Sequence, residues 1–188
     1  MGERNSNQEI EIKLRLPSAR WGRRLLRESG FRVKRRRVLE SNVVYDTPSG
    51  ALRASGQLLR LRRTGRRALL TYKGPAVPGR YKSREERETT VADADEIAVI
   101  LTRLGYQPSF RYEKYRTEYR RPDGGGLILL DETPIGDFFE LEGQPEWIDH
   151  TAAELGFSLS SYITETYGSL FLLERPAGTN PAAMLFGS

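Results

Sequence analysis

The chain has 188 residues, 38% of them apolar and 29% charged, with a formal charge of +5 and a pI near 9.6. That length suits one domain burying about 70% of its unfolded surface, and the composition excludes a disordered chain. No cysteine is present, which excludes disulfides, thiolate nucleophiles and cysteine-held zinc or iron–sulfur sites, and the single histidine, His150, cannot build a histidine-rich metal site.

Any metal must therefore sit on carboxylates, which favours Mg²⁺ or Mn²⁺. The basic balance points to an anionic partner. No apolar run approaches the ~20 residues of a membrane span, and residues 1–7 show no hydrophobic leader, so the expectation is a cytoplasmic protein with no membrane partner.

In chain order, residues 9–15 read as a strand with Glu9, Glu11 and Lys13 on one face and Ile10, Ile12 and Leu14 on the other. Two carboxylates about 7 Å apart on one face can share a hard cation, while the plainer reading is an antiparallel strand with its charged face in water. After Pro17 and Ser18, residues 19–29 read as a helix with Trp21, Leu25 and Leu26 as its apolar stripe, stopped by Gly30. Residues 31–45 are extended in character and contain Lys34, Arg35, Arg36 and Arg37, either a solvated run or a phosphate or nucleic-acid contact. Residues 46–50 form a turn cluster.

Residues 57–63 set Arg60 and Arg62 opposite Leu59 and Leu61; 64–66 is a hairpin connection; 67–73 brings Leu69, Thr71 and Lys73 into phase. A loop over 74–79 leads to a strand over 81–90 with Lys82, Arg84, Glu86 and Glu88 in phase. Asp93 can cap a helix over 94–104, closed by Gly105. Residues 110–120 form a long strand with Tyr112, Lys114, Arg116 and Glu118 on one face, and 122–126 reads as a hairpin tip, since no helix follows it as a P-loop requires. Strands over 127–131 and 137–142 end on Asp131 and on Glu140 and Glu142. Helices are expected over 146–155, carrying His150 as a surface residue, and over 161–173. Residues 1–174 make a single domain and 175–188 a loose tail.

The strand candidates, mostly hairpin-connected, predict an α+β fold: an eight-stranded antiparallel barrel with helices outside on its apolar face. The charged faces then line the inside. They gather Lys13, Arg60, Arg62, Lys73, Lys82, Arg84, Lys114 and Arg116 against Glu9, Glu11, Glu86, Glu88, Asp131, Glu140 and Glu142. Unpaired charges in a dry interior cost several kcal/mol each, so the interior is expected to be a wet tunnel. Arginine forks and lysine ammoniums suit phosphates, and carboxylates suit a metal that bridges to them.

At these residues the sequence resembles the CYTH family, the triphosphate tunnel metalloenzymes. The resemblance starts at Glu9-x-Glu11-x-Lys13 and runs through Tyr45-Asp46-Thr47-Pro48, Leu59-Arg60-Leu61-Arg62, Tyr72-Lys73-Gly74-Pro75, Arg84-x-Glu86-x-Glu88, Lys114-x-Arg116, Asp131 and Gly136-Asp137-Phe138-Phe139-Glu140-x-Glu142. The segments 104–108 and 112–116, with Ser161-Tyr162, look most like the class IV adenylate cyclase branch. The likeness implies metal ligands Glu9, Glu11, Asp131, Glu140 and Glu142 for two ions of Mg²⁺ or Mn²⁺. It implies phosphate grips at Lys13, Arg60, Arg62, Lys73, Arg84, Lys114 and Arg116. No side chain stands out as a general base, so that role falls to metal-bound hydroxide, with Lys73 and Lys114 nearby as the catalytic candidates. Glu86 and Glu88 either orient arginines or a second metal, or form cross-strand ion pairs.

The leading expectation is a class IV cyclase-like enzyme converting ATP to cyclic AMP and pyrophosphate. The alternative is a triphosphatase acting on thiamine triphosphate, inorganic triphosphate or a nucleoside triphosphate. A second alternative, a non-catalytic binder of polyphosphate or RNA on the basic surface from Arg23 to Arg37, is disfavoured by the paired carboxylates, which repel a polyanion unless a cation intervenes. Nucleic acid is thus not the expected partner, and the protein is expected as a monomer or homodimer.

Overall fold

The computed structural model describes residues 8–122 and 124–187. Residues 1–7, on which the expectation about a leader falls, and Asp123 of the hairpin tip lie outside the described residues. Strands β1 (Gln8–Leu16), β2 (Arg32–Asp46), β3 (Leu58–Thr64), β4 (Arg67–Lys73), β5 (Lys82–Val91), β6 (Gln107–Arg120), β7 (Leu127–Thr133) and β8 (Gly136–Glu142) pair antiparallel in the order β2-β3-β4-β5-β1-β8-β7-β6, and β6 pairs back onto β2. The expected eight-stranded barrel is thereby closed, each of β1–β8 having a neighbouring strand on both sides.

Period-two alternation decides which way each strand faces. Ile12, Leu14, Ile128, Leu130, Phe139 and Leu141 point outward and are buried by helices α1 (Ala19–Glu28) and α4 (Pro145–Glu154), through Leu26, Ile148 and Ala152. Each such side chain contributes about 1.5–3 kcal/mol on burial, so the apolar core lies outside the barrel wall and the inside is left to polar groups. On the far side a helix over Ala94–Arg103 sets Ala94 and Leu101 on Tyr45, Leu61 and Ala68. Ser18 and Asp93 accept backbone N–H groups at the starts of these helices, as the sequence suggested for Asp93. At Gly22 the helix lies so close that an added Cβ would stand 2.9 Å from Leu16 Cδ1 and 3.1 Å from the Phe139 ring, so a larger residue has to displace these core side chains.

Three local expectations are corrected. A short helix, α2 (Ala51–Ala54), follows the 46–50 turn, held because the Asp46 carboxylate accepts the Leu52 and Arg53 amides at 2.9 and 3.0 Å. With it counted, the helix over Ala94–Arg103 is α3. The helix expected over 161–173 is broken: a 3-10 turn covers Leu159–Ser161, Ile163 exchanges backbone hydrogen bonds with Lys13 at 2.8 and 3.0 Å, and α5 (Tyr167–Glu174) starts only after the Thr166 cap. The reason is that β5 pairs with β1 only as far as Glu11, and the next free backbone groups of β1 need a partner. The tail expected to be loose is anchored: β9 (Ala183–Met184) runs parallel beside Arg111 and Tyr112, and Met184 is buried against Tyr112 and Phe171. Together α5 and this tail pack Leu170 and Phe171 over Phe138 at one end of the barrel.

Candidate active site

The inward residues line a cavity of about 1110 Å³ that reaches from Val44, Phe110 and Leu172 at the α5 end to Gly126, Leu127 and Gln144 at the other. Cross-strand register fixes who meets whom. Glu11 stands opposite Glu142 and Lys13 opposite Glu140 on the β1–β8 ladder, while Glu9 lies two residues along the same face as Glu11. As a result Glu9, Glu11 and Glu142 each bring a carboxylate oxygen within 4.8 Å of the other two.

The strand neighbours supply positive charge around this trio. Lys73 donates to both oxygens of Glu9 at 2.7 Å, and Arg84 reaches Glu9 at 3.4 Å. Lys82 donates to Glu11 at 2.9 Å, and Lys13 lies between Glu11 and Glu140 at 3.2 and 3.3 Å. Among the described residues Glu142 has no hydrogen-bond or ion-pair partner, and its carboxyl is pushed up to about 8, first by burial and then by Glu140, Glu11 and Glu9, against the pull of Arg116. Burial and the neighbouring Glu11 also raise Glu9. Burial works the same way on Glu11, but Lys13 and Lys82 hold it well below the usual carboxylate range. Lys82 is in turn brought down to about 8 by burial, with Glu11 opposing. Three hard oxygen donors, one of them unpartnered and holding its proton into the neutral range, fit a Mg²⁺- or Mn²⁺-sized cation.

Asp131 and Glu140 stand elsewhere in the network. Asp131 is wholly buried and accepts from Lys114 at 2.7 Å, from Arg116 at 2.7 and 2.6 Å, and from the Tyr167 hydroxyl at 2.9 Å. Glu140 pairs with Arg116 and Lys13. Both carboxylates are thus committed to holding cations. Glu86 lies 3.1 Å from Lys73, and Glu88 accepts from Thr71 at 2.7 Å and lies 3.6 Å from Arg60, so both pair with cations of neighbouring strands. Arg60 also donates to Tyr112 and Thr71 at 3.3 and 3.2 Å, and its Nε is buried with no partner.

Three groups of the site escape the sequence reading, and a fourth, Tyr112, is read there on the inner face but without a role. Glu40, which pairs with Arg62 at 3.2 Å, and Asn42, which accepts from Arg62 at 2.9 Å, sit in a stretch whose basic run hides the phase. Burial opposes ionisation of Glu40, but Arg116, Arg62 and Lys114 bring it down to about 2. Tyr112 faces the tunnel beside Arg60; burial raises its hydroxyl, but Arg60, Arg62 and Lys114 overcome this and lower it to about 8. Tyr167 lies under both Lys13 and Lys114, whose ammoniums stand 5.2 and 5.0 Å from its ring centre.

A closed barrel with this inner lining has one further observation to set beside it: the CYTH domain profile matches residues 7–167. The chain belongs to the CYTH domain family. A Methanocaldococcus jannaschii protein provisionally named adenylate cyclase MJ0240 is 26% identical over 168 residues, 85% of this chain and 95% of its own length. Among solved structures, protein PH1819 of Pyrococcus horikoshii is 27% identical with a TM-score of 0.76, covering 89% of this chain and 99% of that one. A Hippeastrum protein, provisionally called an adenylyl cyclase and described with a dominant triphosphatase activity, shares the fold at 22% identity and a TM-score of 0.65, covering 90% and 98%. CYTH proteins are enzymes acting on triphosphates and are metal-dependent in general, and this CYTH chain carries the cation-lined tunnel and acidic cluster such chemistry needs. No helix among the described residues is long and apolar enough to cross a membrane.

Proposed function

We propose that this CYTH protein hydrolyses the terminal phosphate of an organic triphosphate, using Mg²⁺ or Mn²⁺ seated on Glu9, Glu11 and Glu142. The observation that carries this reading is the placement of two features on opposite walls. In the strand order β1 lies four places from β2, so the carboxylates of β1 and β8 face the wall of β2, β3 and β6. That wall ends in the stacked pair Phe110 and Tyr112, with ring centres 5.9 Å apart, beside Val44 and Leu58 of the cavity lining. An aromatic group resting there leaves its phosphate chain to cross the tunnel and present the far phosphorus to the acidic trio.

Lys13, Arg60, Arg62, Lys73, Arg84, Lys114 and Arg116 grip the phosphates in this reading, and their carboxylate partners hold them aimed before substrate arrives. A divalent ion, when bound, supplies Lewis-acid charge neutralisation at the reacting phosphate; the family likeness implies two such ions. Lys82, with its proton affinity near neutrality and its ammonium on Glu11, is placed to move a proton for the attacking water. Lys73 and Lys114, whose ammoniums stand 2.7 Å from Glu9 and Asp131, act as clamps on the phosphates. Water's oxygen bonds to the terminal phosphorus, the bond to the bridging oxygen breaks, and orthophosphate and an organic diphosphate leave. The activity described for the Hippeastrum protein supports this course.

A second course, attack of the ribose 3′ hydroxyl of ATP on the α-phosphorus to give cyclic AMP and pyrophosphate, is favoured by the name of the Methanocaldococcus relative. Phosphorus NMR and chromatography of products decide between them, after incubation with Mg²⁺ or Mn²⁺ and, separately, ATP, thiamine triphosphate and inorganic triphosphate. Orthophosphate with no cyclic product is the expected result. Cyclic AMP with pyrophosphate would replace hydrolysis by cyclisation, and no turnover with any of the three would overturn both.

A further inference from the structure

The charges inside the tunnel pair off nearly one to one, so the protein's net positive charge must reside elsewhere. It is concentrated in one stretch: residues 20–37 hold nine basic residues against one acidic, Glu28, a surplus larger than the +5 of the whole chain. At about 100° per residue, Arg20, Arg23, Arg24 and Arg27 fall on a single face of α1, opposite the face that buries Gly22 and Leu26. The first half of β2 continues this face. Arg23 and Arg37 both reach Glu132 on β7, at 3.0 and 2.8 Å, which joins helix and strand into one outer surface.

Most of this charge is left uncompensated. Among the described residues no carboxylate reaches Arg20, Arg24, Arg27, Lys34 or Arg36, and all five are exposed. The β2–β6 register sets Arg32 opposite Arg120, and Arg120 lines the tunnel, so that pair marks the tunnel mouth, where the outer basic surface ends.

We propose that this outer surface is a second binding site, for the phosphodiester backbone of a nucleic acid strand, separate from the tunnel. Arginine supplies eight of the nine basic groups, and its planar fork matches phosphate oxygens in pairs where lysine offers a point charge. A membrane surface fits less well, because the apolar face of α1, with Trp21, Leu25 and Leu26, is turned onto the barrel and leaves little to insert into lipid. The site needs no metal, and its ligand is held whatever the tunnel does.

The test is fluorescence anisotropy of a labelled RNA with a 5′ hydroxyl, in EDTA, across a salt series, with the wild type and with the triple variant Arg20→Glu/Arg24→Glu/Arg36→Glu. Each phosphate neutralised on a single strand contributes a slope of about −0.7 in log affinity against log salt, so contact with roughly four phosphates gives a slope of about −3. The expected result is binding with that slope, a loss of at least tenfold in the triple variant, and an unchanged affinity when tripolyphosphate saturates the tunnel. The variant's melting temperature and triphosphate turnover stay at wild-type values. No binding at low salt, equal binding by the folded variant, or displacement by tripolyphosphate would overturn the proposal. Vesicles of anionic phospholipid run in parallel: a preference for them over RNA would assign the surface to a membrane instead.

Discussion

Glu9 and Lys73 meet across an intervening strand: β5 separates β1 from β4, yet the Lys73 ammonium lies 2.7 Å from both oxygens of Glu9. The side chains reach over β5 because the barrel curves them toward a common axis. The lysine therefore occupies one of the carboxylates on which we seat a cation, and the two compete. Lys73→Met should raise Mn²⁺ affinity in the absence of substrate, several-fold by calorimetric titration, while lowering kcat/KM on the triphosphate by about 10²-fold, because the phosphate clamp goes with it. Unchanged metal affinity would mean that Glu9 holds no ion.

The acidic trio itself is tested by Glu9→Gln combined with Glu11→Gln. The amides are near-isosteric, so circular dichroism and the melting transition should remain those of a folded barrel, while Mn²⁺ binding and metal-dependent turnover disappear. Turnover that survives in the double variant would remove the metal assignment from this cluster.

Stability against pH carries a signature of Glu142. An ordinary glutamate loses its proton at 4.5, as it does in the unfolded chain, whereas in the folded protein Glu142 keeps its proton up to about 8. Between those values the native state binds more protons than the unfolded state, so Glu142 makes stability fall as pH rises. The melting temperature measured in EDTA should therefore decline from pH 5 to pH 8, and Mn²⁺ should restore most of the loss at pH 8 by replacing the proton. Glu142→Gln should flatten the metal-free profile. A wild-type profile already flat in EDTA would show the group ionised without a cation.

Much of this arrangement is legible in the strands alone. The alternation of Glu9, Ile10, Glu11, Ile12 and Lys13 names both the tunnel face and the buried face, because period-two geometry leaves a strand no third choice. What alternation cannot say is which inward groups become neighbours. Glu142 and Asp131 look equivalent along their strands, but register sets Glu142 opposite Glu11 and Asp131 opposite Arg116, leaving one carboxylate without a partner among the described residues and the other held by Lys114, Arg116 and Tyr167. Glu40 and Asn42 were hidden for a different reason. Register shifts between Val33 and Arg35 and between Arg35 and Val38 break the phase of β2, so its inward residues do not extrapolate from its basic start. Tyr167 is hidden because the helix expected over 161–173 is broken, and only the Thr166 cap sets where α5 starts and that Tyr167 lies at its first turn.

Asp131 separates a structural role from metal ligation. Its carboxylate is wholly buried and receives Lys114, both ends of the Arg116 fork and the Tyr167 hydroxyl. Removing one partner of a buried ion pair leaves the others uncompensated, at a cost of about 3–5 kcal/mol. Asp131→Asn should lower stability by that amount in urea unfolding, with or without Mn²⁺, and any residual turnover should retain the wild-type metal dependence. Tyr167→Phe, which deletes only one donor to the same oxygen, should cost about 1 kcal/mol. If Asp131→Asn instead left stability unchanged and weakened Mn²⁺ binding, the carboxylate would be a metal ligand, and the ion pairs it makes to Lys114 and Arg116 would yield to the cation when it binds.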